Sequence, residues 1–173
     1  VLLTLVSAFI SITPSYAQAD LKALVGGRLI DGFGGPTIVN SVILIKDNII
    51  EAVGNADTLK IPAGYEIIST EGMDVLPGLW ETHAHMTLNG HGDYQQWFAK
   101  FGKRLPNEIM PAFGEQFLLA GVTSVRDLGG ALDVSLALRE RFNSDKTSGP
   151  RLMIAGPFIQ HKSAGVTSFG RWG

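Results

Sequence analysis

The sequence predicts an α/β fold in two parts, and three observations predict it. Up to Met73 the chain reads as short apolar strands broken by Gly, Pro, Asn and Asp. After His85 longer apolar-periodic segments alternate with short strands, the pattern of βαβ units around a parallel sheet. Between them Asp74 to Met86, Asp-Val-Leu-Pro-Gly-Leu-Trp-Glu-Thr-His-Ala-His-Met, runs from one strand through a Pro-Gly break into a second strand that ends in two histidines. The expected division is an export signal over residues 1–19, a small β-sandwich segment over 20–76 and βα units over 77–173.

The bulk properties agree with a folded chain. Of 173 residues 45% are apolar and only 17% charged, which supports a sizeable core and argues against disorder. A net charge of -2 gives no reason to expect a nucleic-acid partner. The chain has no cysteine, which rules out disulfides and thiolate zinc sites, so a metal here needs histidine and carboxylate ligands.

Val1 to Ile12 carries no charge and is followed by Pro14 and then Ala17-Gln18-Ala19, the small-x-small pattern that precedes signal cleavage. The expected mature start is Asp20, and the expected location is periplasmic or secreted. The run is shorter than the about 20 apolar residues of a membrane span, so no stable membrane anchor is expected after cleavage. A buried N-terminal strand is the other reading. Neither an initiator Met nor a basic n-region precedes the run, which suggests a sequence that begins inside its coding region.

Leu24 to Ile30 reads as the first strand, closed by Asp31-Gly32-Phe33-Gly34-Gly35-Pro36, where glycines and proline cannot continue a ladder. Val42 to Lys46 and Ile49 to Val53 should pair through a two-residue turn at Asp47-Asn48, since both residues tolerate positive φ. Tyr65 to Ser69 and Asp74 to Leu76 complete a set of about five strands, too small to be robust alone. Beyond His85, Asp93 to Lys103 is aromatic-rich and reads as a helix or a loop with a helical turn. Asn107 to Ala120 is a helix with Ile109, Phe113, Phe117 and Ala120 on one stripe. Gly121 stands where a helix-ending glycine belongs. Thr123 to Asp127 is a strand, Leu132 to Phe142 a helix with Val134, Leu138 and Phe142 aligned, and Leu152 to Ala155 a third parallel strand after Gly149-Pro150.

In the strand Leu79 to His85 side chains alternate at roughly 3.3 Å per residue, so His83 and His85 point the same way, roughly 6.6 Å apart along the backbone. Both rings could then turn onto one ion at roughly 2.0 to 2.1 Å from each nitrogen. A bare His-x-His is equally consistent with a surface or core pair.

The surrounding residues add a resemblance. Pro77-Gly78-Leu79-Trp80-Glu81-Thr82-His83-Ala84-His85 resembles the Pro-Gly-Leu-Ile-Asp-x-His-x-His signature on the first barrel strand of the amidohydrolase superfamily. Val25-Gly26-Gly27-Arg28-Leu29-Ile30-Asp31-Gly32 is similar to its opening strand and turn. Ala120 to Gly130 (Ala-Gly-Val-Thr-Ser-Val-Arg-Asp-Leu-Gly-Gly) is similar to its second barrel strand and loop, and Gly149-Pro150-Arg151 with Leu152 to Gly156 to its third. The nearest branch is the imidazolonepropionase-like and metal-dependent dipeptidase-like one. Trp80 and Glu81 depart from the usual Ile and Asp while keeping their apolar and acidic character.

The resemblance implies a (β/α)₈ TIM-like barrel of which residues 77–173 are the first three βα units, preceded by the small β-sandwich. Eight such units need about 250 residues. It also implies His83 and His85 as metal ligands, with a divalent metal, zinc first among them, as one or two ions. The site would be finished by later strands: a carboxylated lysine, two further histidines and an aspartate serving as ligand and base. None of those positions falls in this sequence, so no catalytic residue is assigned and the chain by itself is expected to be inactive.

The implied function is hydrolysis of a C–N bond in a small amide, cyclic amide or dipeptide by metal-activated hydroxide. The alternative is a non-catalytic exported β-rich binding or structural module with an incidental His-x-His. Substrate-binding residues and oligomeric state stay open. In a barrel, Arg126, Asp127 and Gly129-Gly130 would face the mouth, or else form a local ion pair and the start of a helix. His91 reads as a loop histidine, and His161 as either a loop residue or a substrate contact. Trp97, Phe98 and Phe101 read as packing, and Glu81 as structural support for the histidine strand.

Overall fold

The computed structural model describes residues 19–88, 93–144 and 146–159. The apolar run over 1–18, His91 and His161 lie outside the described residues. The chain has a mixed α/β fold and divides into two compact units between Pro77 and Gly78.

The described residues of the first unit form six strands: β1 (Leu21–Val25), β2 (Arg28–Leu29), β3 (Ser41–Lys46), β4 (Ile49–Asn55), β5 (Glu66–Ser69) and β6 (Asp74–Val75). They make a four-stranded sheet in the order β4-β3-β1-β5 and a two-stranded sheet β2-β6. The expected hairpin is present: β3 and β4 pair antiparallel from Lys46↔Ile49 to Ser41↔Asn55. Its turn places Asp47 at φ 54°, a backbone that Asp tolerates better than most residues. The first strand differs from expectation. Leu24 to Ile30 is not one strand, because Gly26 at φ 99° turns the chain out of the larger sheet and into the smaller one. A side chain at Gly26 would also run into Glu71. Arg28 then grips Asp74 with two bonds, Nε to Oδ1 at 2.6 Å and a second nitrogen to Oδ2 at 2.8 Å, tying β2 to β6.

Ala23, Val42 and Leu44 are the buried centre of the first unit. Val25, Ala52, Ala56, Leu59, Ile61 and Tyr65 pack around them. The turn that carries Leu59 across the sheet is held by Asn55, whose Oδ1 accepts from the backbone of Asp57 and Thr58 and from the Thr58 hydroxyl.

Described residues of the second unit form a parallel three-stranded sheet in sequence order, β7 (Leu79–Ala84), β8 (Val122–Asp127) and β9 (Arg151–Ile154). Between the strands lie α1 (Tyr94–Phe101), α2 (Met110–Leu119) and α3 (Leu132–Asn143). Asp93 caps α1, its Oδ1 accepting from the Gln96 N–H at 2.9 Å. Gly121, at φ 78°, ends the second helix as its position in the sequence suggested.

That helix begins otherwise than its periodicity implied. Leu105–Ile109 is a π-helical turn, with the Met110 N–H bonded five residues back to Leu105 O, and the α-helix starts only at Met110. Pro111 supplies the reason: it has no N–H for the Asn107 carbonyl and its ring crowds that turn, so the chain widens by one residue.

One core joins the sheet and helices of this unit. Ala84, Met86, Leu105, Met110, Val125, Leu138, Phe142 and Leu152 are all buried together. Trp97, Phe98, Phe113 and Phe117 pack against them, which supports the reading of Trp97 and Phe98 as packing, and the Phe101 ring lies 4.7 Å from that of Trp97, centroid to centroid. Among the described residues no helix is long and apolar enough to cross a membrane.

Candidate metal centre

The end of β7 determines where the two histidines go. Ala84 and Met86 are core residues, Met86 fully buried, so alternation along the extended chain sends His83 and His85 to the opposite side. The structure brings their rings together, with centroids 5.4 Å apart and planes at 81°. His83 is exposed and His85 half-buried. β7 ends at Ala84, so His85 stands one residue past the strand, where the chain turns with Leu88 N–H bonded to His85 O.

Each histidine is held by its surroundings. The His83 N–H donates to Glu81 Oε1 at 2.8 Å, so Glu81 braces the histidine segment, consistent with the supporting role expected of it. The His85 ring places Nδ1 3.3 Å from Gly129 O. A carbonyl oxygen only accepts, so this contact puts the proton of a neutral His85 on Nδ1 and leaves Nε2 with a free lone pair. A metal-ligating histidine needs that arrangement, with one nitrogen anchored and the other bare. Phe158 lies 5.5 Å from the His85 ring, centroid to centroid, and a side chain at Gly129 would run into it.

Behind the pair sits Asp127, with only 1% of its surface exposed. It accepts from Gly129 N–H at 3.3 Å and from Ser135 Oγ at 3.2 Å, and the Met86 backbone N–H is near it. Burial pushes its carboxyl above the usual range, while these three donors and the nearby His85 pull it back. Among the described residues no ion pair joins Arg126 to Asp127. Asp127 turns toward the start of α3, and Arg126 is exposed on its strand. The helix-start part of the local reading therefore fits the structure and its ion-pair part does not.

Two neighbouring imidazoles on one side of the chain, one with its Nδ1 anchored, fit part of a hydrolytic metal site, which uses about three protein ligands and an open position. Among the described residues no group of three His, Cys, Asp or Glu side chains could hold an ion. The sequence pointed to both histidines. It did not point to Gly129 O, because a backbone acceptor has no side-chain identity to read. The Ser135 contact was equally hidden, eight residues from Asp127 and across a helix start.

No protein-family model matches the chain. An enamidase from Eubacterium barkeri is 23% identical over 170 residues, covering 85% of this chain and 41% of the enamidase. Among solved structures, molinate hydrolase is 29% identical with a TM-score of 0.73, over 83% of this chain and 31% of that one. The ochratoxinase of A. niger is 26% identical with a TM-score of 0.62, over 80% and 31%. A Xaa-Pro dipeptidase with methionine bound in its active site is 25% identical with a TM-score of 0.62, over 80% and 34%. The chain thus spans 41% of the curated relative and about a third of each solved structure. The Pro77 to His85 motif, the parallel order of β7, β8 and β9 and these likenesses make the chain similar to members of the amidohydrolase superfamily.

Proposed function

We propose that the protein is a metal-dependent hydrolase that cleaves a C–N bond in a small amide, cyclic amide or dipeptide, with His83 and His85 among its metal ligands. The adjacent imidazoles at the end of a parallel strand, with His85 Nδ1 turned onto Gly129 O, carry this reading. Among the chain's relatives, the names enamidase and Xaa-Pro dipeptidase support the substrate class.

A divalent ion such as zinc, singly or as a pair, would supply a nucleophile at neutral pH, since bound water has a pKa of roughly 7 against 15.7 in bulk. This chain's part is positional. The β7 backbone aims both rings to one side, Gly129 O fixes which His85 nitrogen is bare, and Glu81 braces the backbone at His83. On the same reading residues 20–76 belong to a β-sandwich and residues 77–173 to the first three units of a (β/α)₈ barrel. The 173 residues then supply too few ligands by themselves, so alone they should hold zinc weakly and lack turnover.

The test is metal analysis of the full-length protein with a screen of amides, cyclic amides and dipeptides, before and after chelation. Bound zinc and chelator-sensitive C–N cleavage are the expected results. A protein that neither holds a divalent ion nor cleaves any of the three classes would refute the reading.

Export is part of the same proposal. The apolar run before Ala17-Gln18-Ala19 predicts a mature N-terminus at Asp20 and a periplasmic or secreted location. N-terminal sequencing of the product checks this, and retention of residues 1–19 on the mature protein counts against it.

A further inference from the structure

The buried carboxylate of Asp127 lies beside both pieces of backbone that decide how the His85 ring is held. One is the Met86 N–H, on the residue that follows His85 in the chain. The other is the Gly129 N–H, on the residue whose carbonyl oxygen faces His85 Nδ1. Its second oxygen accepts from Ser135 Oγ on α3. The same loop is held at its start, where the Leu128 N–H bonds Ala84 O at 2.9 Å. Donor and acceptor of the His85 contact are therefore both tied to one side chain, which is anchored in turn to a helix.

We propose that Asp127 is a positioning residue for His85, clamping the Gly129 carbonyl against Nδ1 so that the ring is locked with Nδ1 protonated and Nε2 presented. The inference rests on the reading of His85 as a metal ligand for its purpose, but the clamp itself is a property of this chain and can be measured without metal. Asn at position 127 keeps the size and loses the function. Its single carbonyl oxygen has to serve both backbone N–H groups, because the NH₂ that replaces the other oxygen can only donate, to Ser135 Oγ, and the negative charge that strengthens these bonds is gone. The Gly129 loop is then released and the tautomer is no longer dictated. Outer partners of this kind typically change metal affinity by about 10- to 100-fold.

The experiment uses full-length wild type, Asp127→Asn, Ser135→Ala and His85→Ala. Side-chain ¹⁵N NMR of the metal-free proteins reads the His85 tautomer, titration with Zn²⁺ alone reads affinity, and circular dichroism checks the fold. Wild type should show His85 protonated on Nδ1. Asp127→Asn should shift His85 toward the Nε2-protonated form and weaken zinc by about 10- to 100-fold. Ser135→Ala, which removes one donor and leaves both backbone contacts, should move both readouts the same way by less, and it carries the test if Asp127→Asn does not fold. An unchanged His85 tautomer in the folded variants overturns the clamp. If His85→Ala binds zinc like wild type, the ligand reading fails instead, and the tautomer measurement still decides the clamp.

Discussion

Replacing His83 and His85 by Ala in the full-length protein is expected to abolish stoichiometric metal binding and C–N hydrolysis together while leaving the fold intact. The fold should survive because neither ring belongs to the core. His83 is exposed, His85 is half-buried, and the buried residues of this strand end are their neighbours Ala84 and Met86. An exposed substitution such as that at His83 usually stays within about 0.5 kcal/mol, and loss of the His85 contact to Gly129 O adds about 0.5 to 1.5 kcal/mol, too little to unfold a typical protein. Metal binding has no such reserve. A hydrolytic site holds its ion with about three protein ligands, so losing two leaves neither the affinity nor the geometry that activates water. Zinc also provides an independent readout, since a ligand at a hundred times its dissociation constant stabilises the folded state by about 2.7 kcal/mol. Wild type should therefore melt higher with zinc than without, and the double variant should melt at one temperature in both conditions. A double variant that retains zinc-dependent stabilisation would mean that the site lies elsewhere in the protein.

The juxtaposition of His83 and His85 was legible because a strand has only two faces. Side chains alternate along it, so His83 and His85 had to share one side, and their rings lie 5.4 Å apart. The hairpin at Asp47-Asn48 and the parallel order of the last three strands were legible for similar reasons, from turn residues and from the alternation of strand and helix. Contacts that depend on where a backbone group points were not. Gly129 contributes its carbonyl to His85 and its N–H to Asp127, and nothing in the letters of a Gly-Gly pair separates that from an ordinary turn.

The errors in the fold have the same origin. The apolar pattern continues on both sides of Gly26-Gly27 and reads as one strand, yet a residue at φ 99° redirects the chain into another sheet. The stripe Ile109, Phe113, Phe117 gave the right helix and the wrong start, since periodicity records which face is apolar and not whether the hydrogen bonds span four residues or five. Pro111 was the available signal, and its effect on the preceding turn outweighed the stripe.

Gly114→Ala should destabilise the second unit although it improves the helix, and the loss should reverse when Phe142 is also cut to Ala. In α2 an alanine is favoured over glycine by about 1 kcal/mol. Against that, the Phe142 ring is wedged between two glycines, and a Cβ at either Gly114 or Gly149 would run into it. Phe142 is 7% exposed and part of the core with Met110, Leu138 and Leu152, so the ring cannot swing away without disturbing its neighbours. Overpacking of this kind costs about 1 to 3 kcal/mol, which exceeds the helix gain over most of that range. Phe142→Ala alone should cost about 3 to 5 kcal/mol, a large part of the about 5 to 15 kcal/mol that holds a typical protein folded. With the ring gone, the methyl at position 114 enters vacated space and the propensity gain is recovered. Urea midpoints of the four proteins should then give a favourable coupling between the two sites of about 0.5 to 3 kcal/mol. Additive losses would mean that the ring does not press on Gly114, and that the glycine has no packing reason to be there.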